Sequence, residues 1–154
     1  MDTRISSPFK VSILENVQIL VVDNDVDSGL LYSIFLTGFG ANVMVSSSIK
    51  GALEILHWFV PNIIICEIRF LGESVSKLFN KLSLMATNNM NDIPIIVTST
   101  CNTSLIKEIT DIEVERYLLK PFDIDHLMIM VVNLLWTSKE NAQIVEKDVL
   151  LVQI

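Results

Sequence analysis

Asn62-Ile63-Ile64-Ile65-Cys66-Glu67 is the stretch on which the reading of this chain turns. Three successive isoleucines and a cysteine form an apolar run that stops at an acid. Pro61 precedes the run, and a polar segment containing Gly72 follows it. A short uninterrupted apolar run bounded in this way predicts a central strand of a parallel sheet, buried on both faces. In an open α/β sheet, chemistry gathers where the carboxyl ends of the strands meet solvent. Glu67 is expected at that rim, and the groups that other strands bring there decide what the protein can do.

Outward toward the N-terminus, Val17 to Val22 (VQILVV) reads as a second buried strand, closed by Asp23-Asn24-Asp25. A helix is expected from about Asp27 to Gly38, with Leu30, Leu31, Ile34 and Phe35 at helical spacing and Gly38 and Gly40 as its stop. Ala41 to Val45 reads as a strand. Ser46-Ser47-Ser48 then caps a helix from Ile49 to Phe59, with Leu53, Leu56 and Trp58 or Phe59 facing inward. Residues 1–16 carry no sustained period and are expected to be an N-terminal extension.

Toward the C-terminus, Val75 to Met85 reads as a helix built on Leu78, Phe79 and Leu82, and Asn88 to Asp92 is turn chemistry. Ile93 to Thr98 forms a strand ending in Thr98-Ser99-Thr100. A short polar helix from Thr103 to Thr110 follows, then a strand from Glu113 to Leu119, then Lys120-Pro121-Phe122. Asp123 caps a last helix reaching about Trp136. The order is strand–helix repeated five times, which predicts a parallel α/β sheet covered on both faces. The unit is expected over 17–137, with 138–154 as a C-terminal tail.

Bulk properties narrow the function. Half the chain is hydrophobic (51%), which supplies a full core in 154 residues. The longest fully apolar run, Leu127 to Val132, is far shorter than the ~20 residues a bilayer requires. Arg4 and Ser6-Ser7-Pro8 lead into no apolar segment of a secretory signal. Cys66 and Cys101 lie far apart and outside any metal-binding spacing, as expected of reduced cysteines in a cytoplasmic protein. A net charge of −7 argues against nucleic acid as a direct partner. The last helix carries more apolar residues than one face can hold. The tail, with Val149 to Ile154 (VLLVQI), folds back over it, or it is a contact surface for a partner or a second copy, or both.

Four strand ends are expected to converge at one edge: Asp23-Asn24-Asp25, Glu67, Ser99-Thr100 and Lys120-Pro121. Here VVDND, PNIIICEI, IPIIVTST and YLLKPF, in that order and on those elements, resemble the receiver domain of two-component response regulators over roughly Val17 to Trp136. The resemblance implies a doubly wound, CheY-like (flavodoxin-like) sheet with strand order 2-1-3-4-5. It also implies an acidic pocket at Asp23, Asn24 and Asp25 that holds Mg²⁺ in such domains, and a phosphoacceptor position at Glu67. A phosphate-contacting hydroxyl is implied at Ser99, an aromatic switch at Tyr117 and a phosphate-pairing lysine at Lys120. The implied partners are signalling proteins, a histidine kinase or a downstream effector. The usual output surface of such domains corresponds here to Thr103–Thr110, Glu113–Leu119 and Asp123–Trp136.

Two departures bear on the chemistry. The acceptor position holds Glu, one methylene longer than the family's Asp, which moves the carboxylate by ~1.5 Å where such a misplacement costs ~10²-fold. Asn24 stands in place of one of two paired acids, so Mg²⁺ is expected to bind weakly at Asp23 or not at all. Arg69-Phe70-Leu71-Gly72-Glu73 also departs from the family's loop, and Arg69 could occupy the metal position or pair with Asp23. The expectation is an atypical receiver that is not an enzyme, is not phosphorylated in the ordinary way and acts by protein contact. In it, Glu67 pairs with Lys120, accepts from Ser99 and holds one signalling state.

Three alternatives stand beside this reading. Glu67 is a buried carboxylate in a site decayed to scaffold; Asp23, Asp25 or Glu67 retains Mg²⁺-dependent phosphorylation; or Asp23-Asn24-Asp25 serves a haloacid-dehalogenase-like phosphatase. Against the last, Asp27 stands where that motif has Thr or Val, and no further acidic pair follows Lys120. His57 and His126 lie isolated on helices and suggest no catalysis. Trp58 and Trp136 read as packing residues.

Overall fold

The computed structural model describes residues 12–89, 93–100 and 116–136. The elements run β1 (Gln18–Val22), α1 (Val26–Gly38), β2 (Asn42–Ser46), α2 (Ile49–Ile55), β3 (Ile63–Glu67), α3 (Val75–Asn89), β4 (Ile95–Ser99), β5 (Tyr117–Leu119) and α4 (Ile124–Leu135). The five strands form one parallel sheet in the order β2-β1-β3-β4-β5. The expected short helix at Thr103–Thr110 and the first part of the expected strand from Glu113 lie outside the described residues.

Alternation along the central strands divides the core in two. Ile19 and Val21 of β1, Ile63 and Ile65 of β3 and Ile96 of β4 pack with Tyr32, Leu36, Leu127, Met128, Val131 and Val132 from α1 and α4. Leu20, Val22, Ile64 and Cys66 point the other way, onto Ile49, Ala52, Leu56 and Phe59 around α2 and Leu78 and Leu82 of α3. Every residue of β3 is buried, as a strand covered on both faces must be. The packing also starts ahead of the first strand, because Ile13 and Leu14 are buried in the α1–α4 core and the Leu14 N–H donates to the Phe39 carbonyl at 2.8 Å.

Three local expectations need correcting. In α1, of the four apolar residues at helical spacing, Leu30, Leu31 and Ile34 are exposed at 54%, 56% and 64%, as is Val26 at 66%, while Phe35 packs against the core. The buried residues are Gly29, Tyr32 and Leu36. Gly29 faces β2 so closely that a Cβ there would lie 3.0 Å from a Val45 methyl. That close seat rotates the helix toward Gly29 and turns the larger aliphatics outward. Helix α2 ends at Ile55, four residues before the expected Phe59. A turn follows that buries Phe59 and leaves Trp58 exposed. Finally, β4 begins at Ile95 rather than Ile93, because Pro94 can offer only a carbonyl, which accepts from the Ile64 N–H at 3.0 Å.

Candidate functional site

Parallel pairing in register brings the carboxyl ends of β1, β3 and β4 side by side: Val22 lies opposite Cys66, and Glu67 opposite Thr98. Asp23 follows β1, Glu67 ends β3, and Lys120 follows β5, whose last residue, Leu119, is opposite Ser99. Asp23 and Glu67 are almost wholly buried, at 1% and 4% exposure. Lys120 reaches both carboxylates: Nζ lies 2.7 Å from Asp23 Oδ2 and 3.0 Å from Glu67 Oε2. Its backbone N–H donates to the Ser99 carbonyl at 2.8 Å, which ties β5 to the end of β4. Burial opposes the lysine's charge, but the hydrogen bonds to Asp23 and Glu67 outweigh it and hold its pKa above the ordinary value.

The other carboxylate oxygens are taken by backbone. Glu67 Oε1 accepts from the N–H groups of Ile68 at 2.9 Å and Arg69 at 3.1 Å. The glutamate, one methylene longer than an aspartate, thus folds back over the loop that follows it. Asp23 Oδ1 accepts from the Asp25 N–H at 2.9 Å. Each acid therefore has one oxygen on Lys120 and the other on amides, as burial of two carboxylates around one ammonium demands.

Asn24 sits at the mouth and donates from Nδ2 to the Arg69 carbonyl at 2.6 Å, linking the loop after β1 to the loop after β3. Arg69 was expected to pair with Asp23 or to fill the metal position. Instead it contributes its backbone, its side chain is exposed, and among the described residues the ion pair to Asp23 comes from Lys120. Asp25 belongs to α1: it is the N-cap, accepting from the Asp27 N–H and from Ser28 Oγ at 2.7 Å. The Ser28 hydrogen bond holds the Asp25 pKa below its usual value. Ser99 is fully buried at the end of β4. Tyr117, half-buried at the start of β5, packs against the small cluster of Ile68 and Val97.

Octahedral Mg²⁺ wants oxygen ligands with charge to spare. Among the described residues the carboxylates that converge there, Asp23 and Glu67, already hold an ammonium and backbone amides; Asn24 is neutral and Asp25 is engaged in capping. The donor set does not fit a divalent ion, and among the described residues no cluster of three His, Cys, Asp or Glu side chains is arranged to hold one.

Several participants escape a sequence reading. Tyr32, buried, stacks on Phe122 with ring centroids 5.6 Å apart, and its hydroxyl pKa is raised mainly by burial. With Ser28, Leu31, Thr100, Lys120, Pro121 and Ile124, these rings line a cleft of ≈ 290 Å³ beside the lysine. Only the spacing of Ser28 and Tyr32, one helical turn apart, hinted at a shared face. Glu73 reaches across to α2 and accepts from the N–H groups of Ile49 and Lys50 at 3.2 and 2.8 Å, so the loop after Glu67 is anchored at its far end. Thr98 is fully buried, with no hydrogen-bond partner for its hydroxyl among the described residues.

Comparison with known proteins bears on the family and the fold. The family model "Response regulator receiver domain" matches residues 19–132. The Regulator of RpoS of Escherichia coli is 30% identical over 133 residues, 85% of this chain and 38% of that protein. The transcriptional regulatory protein ZraR, also of E. coli, is 28% identical over 115 residues, 73% of this chain and 25% of that protein. The chain thus spans little more than a third of the length of the first of these relatives. Among solved structures, a response regulator receiver protein from Sinorhizobium medicae superposes with a TM-score of 0.67 at 25% identity, covering 79% of this chain and 96% of that one. The chemotaxis response regulator CheY4 of Vibrio cholerae gives 0.62 at 17% identity, covering 75% and 95%, a likeness of fold.

Proposed function

The chain belongs to the response regulator receiver domain family, and we propose that within it this domain is a phosphorylation-independent member that signals by protein contact. One observation carries the reading: Lys120 Nζ bridges Asp23 Oδ2 and Glu67 Oε2, at 2.7 and 3.0 Å, while both remaining carboxylate oxygens accept backbone N–H groups. A carboxylate nucleophile needs an oxygen free to attack in line, with positive charge waiting for the phosphoryl oxygens. Here, at the position of the nucleophile, Glu67 has Oε1 turned back onto two backbone N–H groups and Oε2 held by Lys120, and the positive charge is already neutralised. No metal is needed to keep the pocket together, because the lysine and the Asn24 amide join the loops that an acidic pair and a cation would otherwise join.

In this reading Glu67 is the counterpart of a phosphoacceptor, Ser99 and Tyr117 keep positions of a switch, and Lys120 fixes the domain in one state. The domain is a binding module rather than an enzyme, cytoplasmic, with a kinase or effector of a two-component pathway as its partner. None of the described helices is long and apolar enough to cross a membrane.

Acetyl phosphate with Mg²⁺, followed by intact-mass measurement, tests the proposal on the wild type and on the double variant Asn24→Asp, Glu67→Asp. The expected result is no adduct on the wild type and a phosphoryl adduct on the double variant. A stoichiometric adduct on the wild type would return the protein to ordinary phosphotransfer.

A further inference from the structure

The large apolar side chains that stand in solvent on a helix cluster on α1. Val26, Leu30 and Ile34 follow one another at four-residue spacing, Leu31 flanks them, and all four are more than half exposed. Side chains at that spacing form one continuous ridge. Helix α4, where the sequence placed the surplus, has no large hydrophobic in the exposed class; its apolar residues are buried or half-buried. A ridge of this kind on a chain of net charge −7 calls for a cover.

A candidate cover is carried by the same chain. Val149 to Ile154 (VLLVQI) is uncharged and has five apolar residues in six, and the ridge itself is flanked by a single charge, Asp27, among the exposed residues of α1. Both α1 and α4 follow strands of one parallel sheet and pack on the same side of it, so the two helices run in the same direction. Phe35 and Phe39 at the end of α1, and Leu134, Leu135 and Trp136 at the end of α4, lie against the same core. The chain therefore leaves α4 at the same end of the sheet as the lower end of the ridge. From Val26 to Ile34 the ridge is ~12 Å long. The roughly dozen residues from Thr137 to Asp148 can reach up to ~40 Å, more than enough to bring the apolar segment back along it.

We propose that the α1 ridge of Val26, Leu30, Leu31 and Ile34 is an intramolecular docking surface for Val149–Ile154. Tethering favours this occupant over a second copy: a short tether supplies an effective concentration of ~mM, far above the micromolar range at which a second copy would compete. The segment covers a helix that borders the charged pocket through Asp25, Ser28 and Tyr32, so docking and undocking would alter the surface this end of the domain shows a partner.

Hydrogen–deuterium exchange of the full chain by mass spectrometry, at low micromolar concentration, tests the proposal. Amides of 149–154 are expected to exchange about tenfold or more slowly than in the free peptide. The protection should fall to less than about twofold in Leu30→Lys, Ile34→Lys. Reciprocally, Leu151→Glu should speed exchange in α1 without changing far-UV circular dichroism, and light scattering should give a monomer. Exchange of 149–154 at the free-peptide rate in the wild type overturns the proposal. So does protection that survives the α1 substitutions, which would seat the segment elsewhere. Concentration-dependent protection with a dimer mass that Leu30→Lys, Ile34→Lys abolishes would assign the ridge to a second copy, and would equally overturn it.

Discussion

The carboxyl end of the sheet and the outer face of α1 lie next to each other and are built on opposite plans. At the sheet end, two buried acids close on a half-buried lysine, and every carboxylate oxygen has a partner. Along α1, four aliphatic side chains stand in water. Water was removed from the groups that hold it most strongly and left on those that hold it least. Fold stability alone would favour the reverse, because burying charge is costly and burying aliphatics is favourable. The closed pocket reads as a site inherited from chemistry and fixed by its own side chains, whereas the open helix face reads as a surface waiting for a cover.

The largest expected effect comes from opening the pocket. Lys120→Met leaves two buried carboxylates facing each other without a cation, and should destabilise the domain by about 3–5 kcal/mol in urea denaturation at neutral pH. In the wild type the lysine pKa is raised above its ordinary value of 10.5. Its contribution to stability is therefore complete below that pH, and is lost as the pH rises through the higher folded value. An alkaline denaturation profile that is unchanged in Lys120→Met would break the contrast between the two regions.

Within α1, the same substitution at two leucines separates the helix faces. Leu36→Ala, at a fully buried position, should cost about 2–5 kcal/mol, and Leu30→Ala about 1 kcal/mol or less. Equal costs would mean that Leu30 is core after all. The smallest expected effect is at Thr98, whose buried hydroxyl has no partner among the described residues. Thr98→Val removes a desolvated polar group and should be neutral or stabilising by about 1 kcal/mol, read as a rise in the denaturation midpoint. A clear loss would show that the hydroxyl is used.

The same contrast governs how much was legible in the sequence. The strands were, because runs such as Ile63-Ile64-Ile65 leave little alternative to a doubly covered strand. The charged trio was also legible, since Asp23, Glu67 and Lys120 each lie at a strand end that a parallel sheet must bring to one edge. Helix α1 was not: apolar residues surround it, so no stripe marks an inner face. What decided its rotation was Gly29 lying close to β2, a tertiary fit without a periodic signature. Arg69 was read as a charge and serves through its backbone. Glu73, whose carboxylate caps a helix 23 and 24 residues away in sequence, had no local pattern to announce it. The position of Tyr32 against Phe122 likewise depends on two elements that only the finished fold brings together.

The central claim is that Lys120 and the backbone amides already satisfy the pocket, leaving no place for a cation or a phosphoryl group. Its most direct test is a ¹H–¹⁵N correlation spectrum of the wild type with and without Mg²⁺ and beryllofluoride, a non-covalent stand-in for a phosphoryl group on a carboxylate. The spectra are expected to superimpose at Asp25, Ile68, Arg69, Ser99 and Lys120, while the Asn24→Asp, Glu67→Asp variant shifts at those amides. Saturable shifts of the same amides in the wild type would contradict the claim and show a pocket still able to open for its chemistry.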